Sequence, residues 1–547
     1  MSSVSAVLGK ISDFIWGVPN IVLLLGAGTY FTCKLKFFQF AKSPLWMKKT
    51  LLSLFKKNTH DYEPGKSLSP FQAVATALAA TIGTGNIAGV ATAISVGGPG
   101  AVFWMWISAI LGMMTSYSEN LLGVQYRTKD EKGALKGGPM YYIKDAFDRT
   151  KKLKFFAKPF AGLYAVFLIF ASFGIGNMTQ TNCIAASIHS SFGVNEIVIA
   201  VILAVVVYLI IRSGKKSISS VAEKIVPFMA AFYIICCLTI LVINFRNIPY
   251  VFTSIFKNAF DFKAIAGGAG GIAISRCIST GMRRGVFSNE AGLGGCVTVS
   301  SCSSTSKSAE QGMWGIFQVF FDTIIICSLT AFVILSTNVK AVNPDYALSH
   351  LSQQTQYICL DGSVSGDNGD IMLTDVNANS VLSYSDSTGT LDKSDKYTYT
   401  NIMAVKGEYE NGKLNSVDLR EVEGISLVSL AFTEHLGSFA GKLLSIATVL
   451  FAFSTVLGWS SYASVAIEYL FGQKAIKYYF LICGVLAFIG SVLKIEVVWT
   501  LSDIFNGLMV IPNVIGLIAH RKEVGTVTDE YLADYNRSKR DHVLTET

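Results

Sequence analysis

Long apolar runs, separated by short polar and often basic segments, dominate the pattern along the chain. About eleven runs have the ~17–25 residues that an α-helix needs to cross a hydrocarbon core about 30 Å thick. They cover residues 11–31, 70–96, 99–126, 159–189, 194–211, 218–244, 264–287, 311–337, 438–470, 478–493 and 496–519. The pattern therefore predicts an all-α polytopic membrane protein with about eleven transmembrane helices.

The second run has an unusual centre, Ala-Ala-Thr-Ile-Gly-Thr-Gly-Asn-Ile-Ala-Gly at 79–89. Glycine lowers helix stability by about 1 kcal/mol relative to alanine. Thr81, Thr84 and Asn86 bring polar groups to membrane depth, where an unpaired group is costly. Two interpretations remain open: small residues for a close helix crossing, or a broken helix that exposes its backbone to a ligand. The polar residues favour the break.

A break at this position would have a defined chemistry. Free backbone N–H groups at Thr84 and Gly85 carry partial positive charge and suit a carboxylate. Freed carbonyl oxygens nearby suit Na⁺. The seventh run, 264–287, is also rich in glycine, which predicts a second broken helix five runs later. Broken helices at equivalent positions in two halves are typical of transporters with an inverted repeat.

Charge distribution predicts the orientation. Lysine and arginine are concentrated in every second loop, and basic loops are typically cytoplasmic. This places the N-terminus outside and the C-terminus, with a poorly ordered tail at 523–547, in the cytoplasm. Charged residues make up only 15% of the chain, against about 25% in soluble domains. The net charge of +8 forms no basic patch with aromatics of the kind that binds nucleic acid.

One long segment, 338–424, departs from the apolar pattern. It is polar, with turn signals and short alternating stretches, and the order of the loops places it outside the membrane. We interpret it as a small β-rich extracytoplasmic insertion. The chain then divides into spans 1–8 within 1–337, the insertion at 338–424, spans 9–11 within 425–522, and the tail at 523–547.

Further polar residues within the runs are candidates for a ligand site. Gln180 near the end of the fourth run could hydrogen-bond a polar ligand, or could lie in the outer headgroup region. In the ninth run, Ser454 and Thr455 offer adjacent hydroxyl oxygens, which Na⁺ accepts as ligands, and Trp459 could wall an apolar pocket. No set of His and Cys has zinc spacing, and no catalytic acid, base or metal group can be assembled, so an enzyme is not predicted.

The acidic residues in or near the runs have different expectations. Glu119 and Glu468 fall toward the cytoplasmic ends of their runs, where a salt bridge to Arg127 or a solvated position would explain them. Asp322 lies well inside the eighth run and is either a partner of Arg276 or a ligand of a coupling ion.

Four ordered motifs resemble those of the alanine/glycine:cation symporter family, which includes sodium:alanine symporters and amino acid carrier proteins. They are Gly83-Thr-Gly-Asn-Ile-Ala-Gly-Val-Ala-Thr-Ala-Ile, Gly137-Gly-Pro-Met-Tyr-Tyr-Ile, Gly285-Val-Phe-Ser-Asn-Glu-Ala-Gly-Leu-Gly and Phe451-Ala-Phe-Ser-Thr-Val-Leu-Gly-Trp. The resemblance implies a leucine-transporter-type five-plus-five inverted repeat after one extra N-terminal helix. The first repeat would cover about 70–211, and the second would begin at about 218.

The resemblance also implies roles for individual residues. The substrate would be bound by Thr84 and Gly85 at its carboxylate, by Gln180, and by Trp459 as the wall that limits the side chain. One Na⁺ site would use the backbone carbonyls of Ala79 and Ile82 with Ser454 and Thr455. A second Na⁺ site would use Thr81 and Asn86.

The function implied is secondary active symport, in the plasma (inner) membrane, of a small neutral amino acid with Na⁺, or with H⁺ in some members, without an organic cofactor. The alternative is an amino-acid sensor or channel of the same fold that uses the external insertion. The chain departs from the family pattern in the length of that insertion and in the Ser-Ser-Tyr-Ala that follows Trp459. The second departure leaves the choice between alanine and glycine open.

Overall fold

A computed structural model describes residues 2–55, 67–131, 133–149, 151–260, 269–337, 425–493 and 496–546, together with seven strands between 356 and 421. The start of the seventh predicted run, 264–268, and the segments between the strands of the predicted insertion lie outside the described residues.

The helices of the first half follow the apolar runs. In chain order they are α1 (Ser2–Ile15), α2 (Val18–Lys34), α3 (Phe38–Ala41), α4 (Ser43–Lys49), α5 (Pro70–Thr81), α6 (Ala88–Gly97), α7 (Gly100–Gln125), α8 (Pro139–Asp148), α9 (Lys154–Phe173), α10 (Thr179–Phe192), α11 (Glu196–Ile211), α12 (Lys215–Ile243) and α13 (Ile248–Ala259). A π-helical turn, Gly174–Met178, joins α9 to α10. The fourth run is thus one continuous helical segment.

The second half is also mainly helical. Its helices are α14 (Ala269–Asn289), α15 (Val297–Ser300), α16 (Ser308–Val319), α17 (Ser328–Thr337), α18 (Ile425–Leu436), α19 (Ser438–Phe471), α20 (Ile476–Val492), α21 (Glu496–Ala519) and α22 (Arg521–Glu546). A π-helical segment, Phe320–Cys327, joins α16 to α17.

Helix length and composition support a polytopic membrane protein. Among the residues that the structure describes, eight helices are long and apolar enough to cross a membrane. The pair Pro70–Thr81 and Thr84–Gly97 meets the same requirement only when its two parts are taken together, and it is bent by 58°. Glu196–Ile211 is apolar but shorter.

Short strands form three antiparallel sheets. The strands are β1 (Thr128–Lys129), β2 (Leu135–Lys136), β3 (Gln356–Cys359), β4 (Gly362–Asp367), β5 (Asp370–Asp375), β6 (Ser380–Ser385), β7 (Thr390–Lys393), β8 (Ile402–Glu410) and β9 (Lys413–Glu421). β1 and β2 pair as a hairpin between α7 and α8. The others form a three-stranded sheet in the order β3-β8-β9 and a four-stranded meander β4-β5-β6-β7.

Helix α5 has a strong start signal at Ser69, and most of its residues are buried. Ser69 accepts a hydrogen bond from the N–H of Gln72 (3.0 Å), and the Gln72 side chain accepts one from the N–H of Ser69 (3.2 Å). This capping box satisfies two free N–H groups at the helix start. Small residues then allow α19 to cross closely, since a Cβ at Gly458 would lie 2.6 Å from the backbone N of Ala80. This close crossing places residues of α5 directly beside residues of α19.

The second interrupted helix is broken later than the sequence predicted. α14 runs without a break to Asn289, and the chain turns sharply only afterwards, with positive φ at Glu290 (57°), Gly292 (92°) and Gly294 (75°). The glycines within α14 serve close packing against α7, because a Cβ at Gly281 would lie 2.3 Å from a backbone oxygen of that helix. Glycine within the seventh run was therefore wrongly interpreted as the break.

The predicted disorder of the C-terminal tail is also wrong. Residues 521–546 form α22, which packs on the ends of α7 and α16. Val524 is fully buried, Thr528 lies 2.9 Å from the hydroxyl of Tyr117, and the Tyr531 hydroxyl donates to Glu310 (2.9 Å). Burial, with a further contribution from Glu310, raises the pKa of Tyr531 above its usual range, which keeps this hydroxyl a donor.

Candidate functional site

The first break lies at the predicted position. α5 ends at Thr81, the backbone leaves the helical region at Ile82 (ψ 88°), and Gly83 is extended before a 3-10 turn at Thr84–Asn86 leads into α6. The side-chain oxygen of Asn86 accepts a hydrogen bond from the Gly83 N–H (2.9 Å). This local hydrogen bond holds the break open at a fixed angle, because it replaces the helical bond that the Gly83 N–H has lost.

Thr84, Gly85 and Gln180 come together on one side of the break. The Thr84 hydroxyl donates to the side-chain oxygen of Gln180 (3.1 Å), and the Gln180 amide donates to the carbonyl of Ile175 in the π-helical turn (3.0 Å). Gln180 is buried, which argues against the headgroup position. The N–H groups of Thr84 and Gly85 begin a helical turn, where the first N–H groups have no intrahelical acceptor.

Trp459 lies on α19 against the same π-helical turn. A Cβ at Gly176 would lie 2.3 Å from the Cβ of Trp459, so only glycine permits this approach. The Trp459 ring is buried, 5.6 Å from the ring of Tyr462, and it faces the carboxyl group of Glu290. The contact therefore unites α19, the fourth run and the second break around one side chain.

The predicted ligands of the first Na⁺ site lie on the two elements that meet at Gly83. They are Ala79 and Ile82, fully buried at the end of α5, and Ser454 and Thr455 on α19. A Cβ at Gly83 would lie 2.4 Å from the Thr455 hydroxyl oxygen, which shows how closely α19 approaches the break. Both hydroxyls donate to the carbonyl of Phe451, at 2.8 and 3.0 Å. Because the hydroxyl hydrogens are used there, the oxygen lone pairs stay free to face a cation.

The two residues predicted for a second Na⁺ site have different surroundings. The hydroxyl oxygen of Thr81 is buried and has no hydrogen-bond partner in the part of the chain that the structure describes. Asn86 is instead fully engaged: its amide donates to Asp322 (2.7 Å) and to Ser288 (3.0 Å). The structure therefore joins Asn86 to Asp322 and makes no hydrogen bond between Asn86 and Thr81.

Asp322 is the centre of a polar cluster between the two breaks. Its carboxyl group is fully buried and accepts hydrogen bonds from Ser288 (2.6 Å), Thr323 (2.9 Å) and Asn86. The side chain of Arg276, the other predicted partner of Asp322, lies outside the described residues. Ser288 was not singled out from the sequence; its signal is its place one residue before the end of α14, next to the second break.

Glu119 was predicted at a cytoplasmic, solvated or salt-bridged position, and this prediction is wrong. The residue is fully buried in α7, and its carboxyl group accepts a hydrogen bond from the side-chain amide of Asn513 (2.5 Å). The backbone N–H groups of Gly292 and Gly294 face the same carboxyl group. Hydropathy gives the depth of a residue in the membrane but not the side of the helix on which it lies, which explains the error.

Glu468 fits the predicted surroundings with a different partner. It lies 4.0 Å from Lys136 of the β1–β2 hairpin, at the edge of a cavity of about 320 Å³ between the start of α5 and the end of α19. Arg127 donates to the backbone carbonyls of Ser303 (2.6 Å) and Thr305 (3.0 Å). The cavity beside Glu468 lies on the side of the basic loops.

Within the described residues there is no group of three or more His, Cys, Asp or Glu suited to a metal ion.

Comparison with known proteins gives a match over nearly the whole chain. A family model described as the sodium:alanine symporter family matches residues 1–373 and 398–545. The sodium/alanine symporter AgcS of Methanococcus maripaludis is 36% identical over 513 residues, which cover 94% of each chain. The probable sodium/glutamine symporter GlnT of Bacillus subtilis is 34% identical, covering 98% of this chain and 91% of GlnT. An uncharacterized transporter of Haemophilus influenzae is 35% identical, covering 99% and 98%.

Proposed function

Because the chain belongs to the sodium:alanine symporter family, we propose that it is a secondary active symporter that couples inward Na⁺ movement to uptake of a small neutral amino acid, alanine or glycine. The observation that carries this proposal is the first break, where the start of a helical turn at Thr84 meets the Gln180 side chain and where Thr455 of α19 closely approaches Gly83.

The substrate carboxylate binds at the start of the helical turn. The N–H groups of Thr84 and Gly85 supply two donors, and the aligned peptide dipoles of the turn and α6 favour a negative charge there. Gln180 fixes the Thr84 side chain through its 3.1 Å hydrogen bond and borders the same space. Gly85 also lies beside Phe287, since a Cβ at Gly85 would be 3.3 Å from that ring. The carboxylate end of the site is therefore polar and the opposite side is aromatic.

Trp459 limits the substrate side chain. Its Cβ and the adjoining ring atoms pack against Gly176, and its ring lies beside Tyr462 and Glu290, so the side chain has little room to move. The relatives named above are described as alanine and glutamine symporters, so the family alone does not decide the side chain. The fixed indole favours alanine or glycine over glutamine for this chain.

The coupling ion binds on the other side of the break. The carbonyls of Ala79 and Ile82 and the hydroxyls of Ser454 and Thr455 supply oxygen ligands of the kind that Na⁺ prefers, and they belong to two elements that move relative to each other in alternating access. Binding of Na⁺ orders the break and prepares the N–H groups for the carboxylate. Each Na⁺ that enters down 100 mV contributes about 2.3 kcal/mol, enough for about a fifty-fold amino-acid gradient.

Asp322 is our candidate for a second cation, Na⁺ or H⁺. Its buried carboxyl group touches Asn86 of the first break and Ser288 beside the second break, so a charge bound there acts on both. No lysine or arginine forms an ion pair with it among the described residues, and a carboxylate at this depth is costly without a cation. Thr81, with its unpartnered hydroxyl, remains a candidate ligand at the start of the same break.

The membrane arrangement follows from the same proposal. The protein has eleven spans: the eight long helices, the bent pair, the shorter α11 and the polar α14. They form two inverted repeats after one extra helix, and α5–α6 and α14–α15 are the broken helices of these repeats. The N-terminus and the strands between 356 and 421 lie outside, and α22 lies in the cytoplasm of a cell with this protein in its plasma membrane.

Uptake into liposomes tests the function. Purified protein should accumulate labelled alanine or glycine when Na⁺ is higher outside, and equal uptake with choline in place of Na⁺, without a pH gradient, would refute cation coupling. A thermal-shift screen of the twenty amino acids with and without Na⁺ identifies the substrate, because a bound ligand raises apparent stability by mass action. Stabilisation by glutamine but not by alanine would refute the size limit assigned to Trp459.

A further inference from the structure

The buried carboxyl group of Glu119 lies beside hydrogen-bond donors from α21 and from the segment that follows α14. The side-chain amide of Asn513 donates to it at 2.5 Å, and the N–H groups of Gly292 and Gly294 face it. We propose that Glu119 is a positioning residue that holds the unwound segment 290–296 in its working shape, and that Asn513 and Tyr142 connect this segment to the cytoplasmic helix α8. The inference rests on the proposed symport function.

The segment 290–296 needs such an anchor because its backbone has left the helix. Three of its residues have positive φ, so the regular helical hydrogen bonds stop there, and within the segment the Leu293 N–H still donates to the carbonyl of Glu290 (3.0 Å). The hydroxyl of Tyr164 donates to the carbonyl of Leu293 (2.8 Å), and Asn513 donates to the carbonyl of Gly292 (2.8 Å). The N–H groups of Gly292 and Gly294 face the carboxyl group of Glu119. A buried donor without an acceptor would cost about 1–3 kcal/mol.

The surroundings of the segment leave it no freedom to shift on its own. A Cβ at Gly292 would lie 2.2 Å from a methyl group of Leu24, and a Cβ at Gly294 would lie 2.6 Å from Pro139. The glycines therefore serve close packing as well as positive φ. Pro139 is the first residue of α8, so the segment touches this helix directly.

A hydrogen-bonded chain makes the same connection through side chains. The Tyr142 hydroxyl, on the second turn of α8, donates to the side-chain oxygen of Asn513 on α21. The amide of Asn513 then donates to both Glu119 and the carbonyl of Gly292. Because an amide oxygen and its nitrogen are fixed in one plane, Tyr142 sets the orientation in which Asn513 offers its N–H groups to the segment.

This series of hydrogen bonds connects the substrate site to the cytoplasmic face. The segment begins at Glu290, whose carboxyl group faces Trp459, and follows Ser288, which contacts Asp322. A displacement of α8 during opening of the cytoplasmic side therefore reaches the second half of the site through Tyr142, Asn513 and the segment. Glu119 sets the resting shape of the segment, and Tyr142 transmits movement to it.

The two roles predict different defects. Glu119→Gln places an amide donor where only acceptors fit, so we expect about tenfold faster hydrogen–deuterium exchange in residues 290–296 and about tenfold weaker Na⁺-dependent alanine binding. Tyr142→Phe leaves the anchor in place, so exchange and binding should stay within about twofold while the uptake rate falls about fivefold or more. The matched control is Ser118→Ala, which removes a buried hydroxyl whose bond goes only to its own helix, at Met114.

The measurements are amide exchange by mass spectrometry, alanine binding and liposome uptake, all on the full chain. Wild-type exchange and affinity in Glu119→Gln would overturn the positioning role, and a loss of affinity in Tyr142→Phe equal to that in Glu119→Gln would overturn the division of roles. If Glu119→Gln does not fold, Glu119→Asp, which keeps the acceptor on a shorter side chain, should give about threefold changes in the same direction. Exchange is independent of substrate, so a wild-type protein without alanine uptake would refute the proposed function and leave this test decisive.

Discussion

Replacing Gly83 by alanine tests whether the close approach of α19 to the first break sets both stability and ion binding. Gly83 has an extended backbone (φ −133°, ψ −157°), which other residues also adopt, so its conformation does not require glycine. Space does. An added Cβ would lie 2.4 Å from the hydroxyl oxygen of Thr455 and 3.3 Å from its Cβ.

The cost of Gly83→Ala follows from what must move. Overpacking of a close-packed interior costs about 1–3 kcal/mol. The Thr455 hydroxyl is held by its 3.0 Å hydrogen bond to Phe451, so turning it away loses about 1 kcal/mol in addition. We therefore expect the free energy of unfolding to fall by about 2–4 kcal/mol. The rotated hydroxyl would also no longer face the predicted Na⁺ site.

A double-mutant cycle separates packing from ion binding. Thr455→Ala removes the atom at 2.4 Å, so Gly83→Ala combined with Thr455→Ala should recover most of the stability, with a coupling energy of about 1–2 kcal/mol. The double variant should still need more Na⁺ for half-maximal uptake, because the ligand is absent. The assays are unfolding in a denaturing detergent and Na⁺ titration of alanine uptake. Wild-type stability in Gly83→Ala, or no recovery in the double variant, would refute the reasoning.

Three further substitutions test separate parts of the structure. Thr455→Ala should raise the Na⁺ concentration for half-maximal uptake by about tenfold. The control is Thr448→Ala on the same helix, which removes a buried hydroxyl that has no hydrogen-bond partner among the described residues and should leave this concentration unchanged. Equal effects of the two substitutions would refute the ligand role of Thr455. Trp459→Ala should admit larger side chains in competition uptake, and unchanged selectivity would move the size limit elsewhere. Tyr531→Phe should weaken the attachment of α22 by about 1 kcal/mol, measured as faster proteolysis of the tail; an unchanged rate would contradict the Glu310 contact.

The first break was predictable because its cause is local. Three glycines and three polar residues within eleven positions of an apolar run conflict with a regular helix, and the residue that holds the break, Asn86, lies three positions after Gly83. The ends of the apolar helices were predictable for a similar reason, since length and composition are read directly from the chain.

The C-terminal helix could have been predicted from the periodicity of its sequence, although not from its average composition. Val524, Thr528, Tyr531 and Tyr535 recur at the spacing of one helix face, and they are the residues of α22 that face the protein or contact basic residues beside it. The segment as a whole is polar, and an average over polar residues hides a narrow stripe. Periodicity would have predicted a docked helix where mean composition predicted disorder.

The second break could not be located in this way because the groups that stabilise it are remote in sequence. Its positive-φ residues follow α14, whereas its acceptor is Glu119 on α7 and its other anchors are Tyr164 on α9 and Asn513 on α21. No window around 290–296 contains these partners. Glycine abundance in the seventh run was a misleading guide, since there glycine allows α14 to approach α7.

The two breaks thus differ in how they are held, and this difference bears on their movement. Asn86 supports the first break with a hydrogen bond inside the same segment, so α5, the break and α6 can move together at a constant angle. The second break is held from three other helices, α7, α9 and α21, so it cannot change shape unless one of them moves with it. Of these, α21 is in turn linked to α8 through Tyr142. A cation at Asp322 would act on both breaks, through Asn86 and Ser288. It would therefore link a break that is held by its own residues to a break that is held by neighbouring helices. In this arrangement the first break supplies the binding groups, and the shape of the second break depends on whether the cytoplasmic side is open.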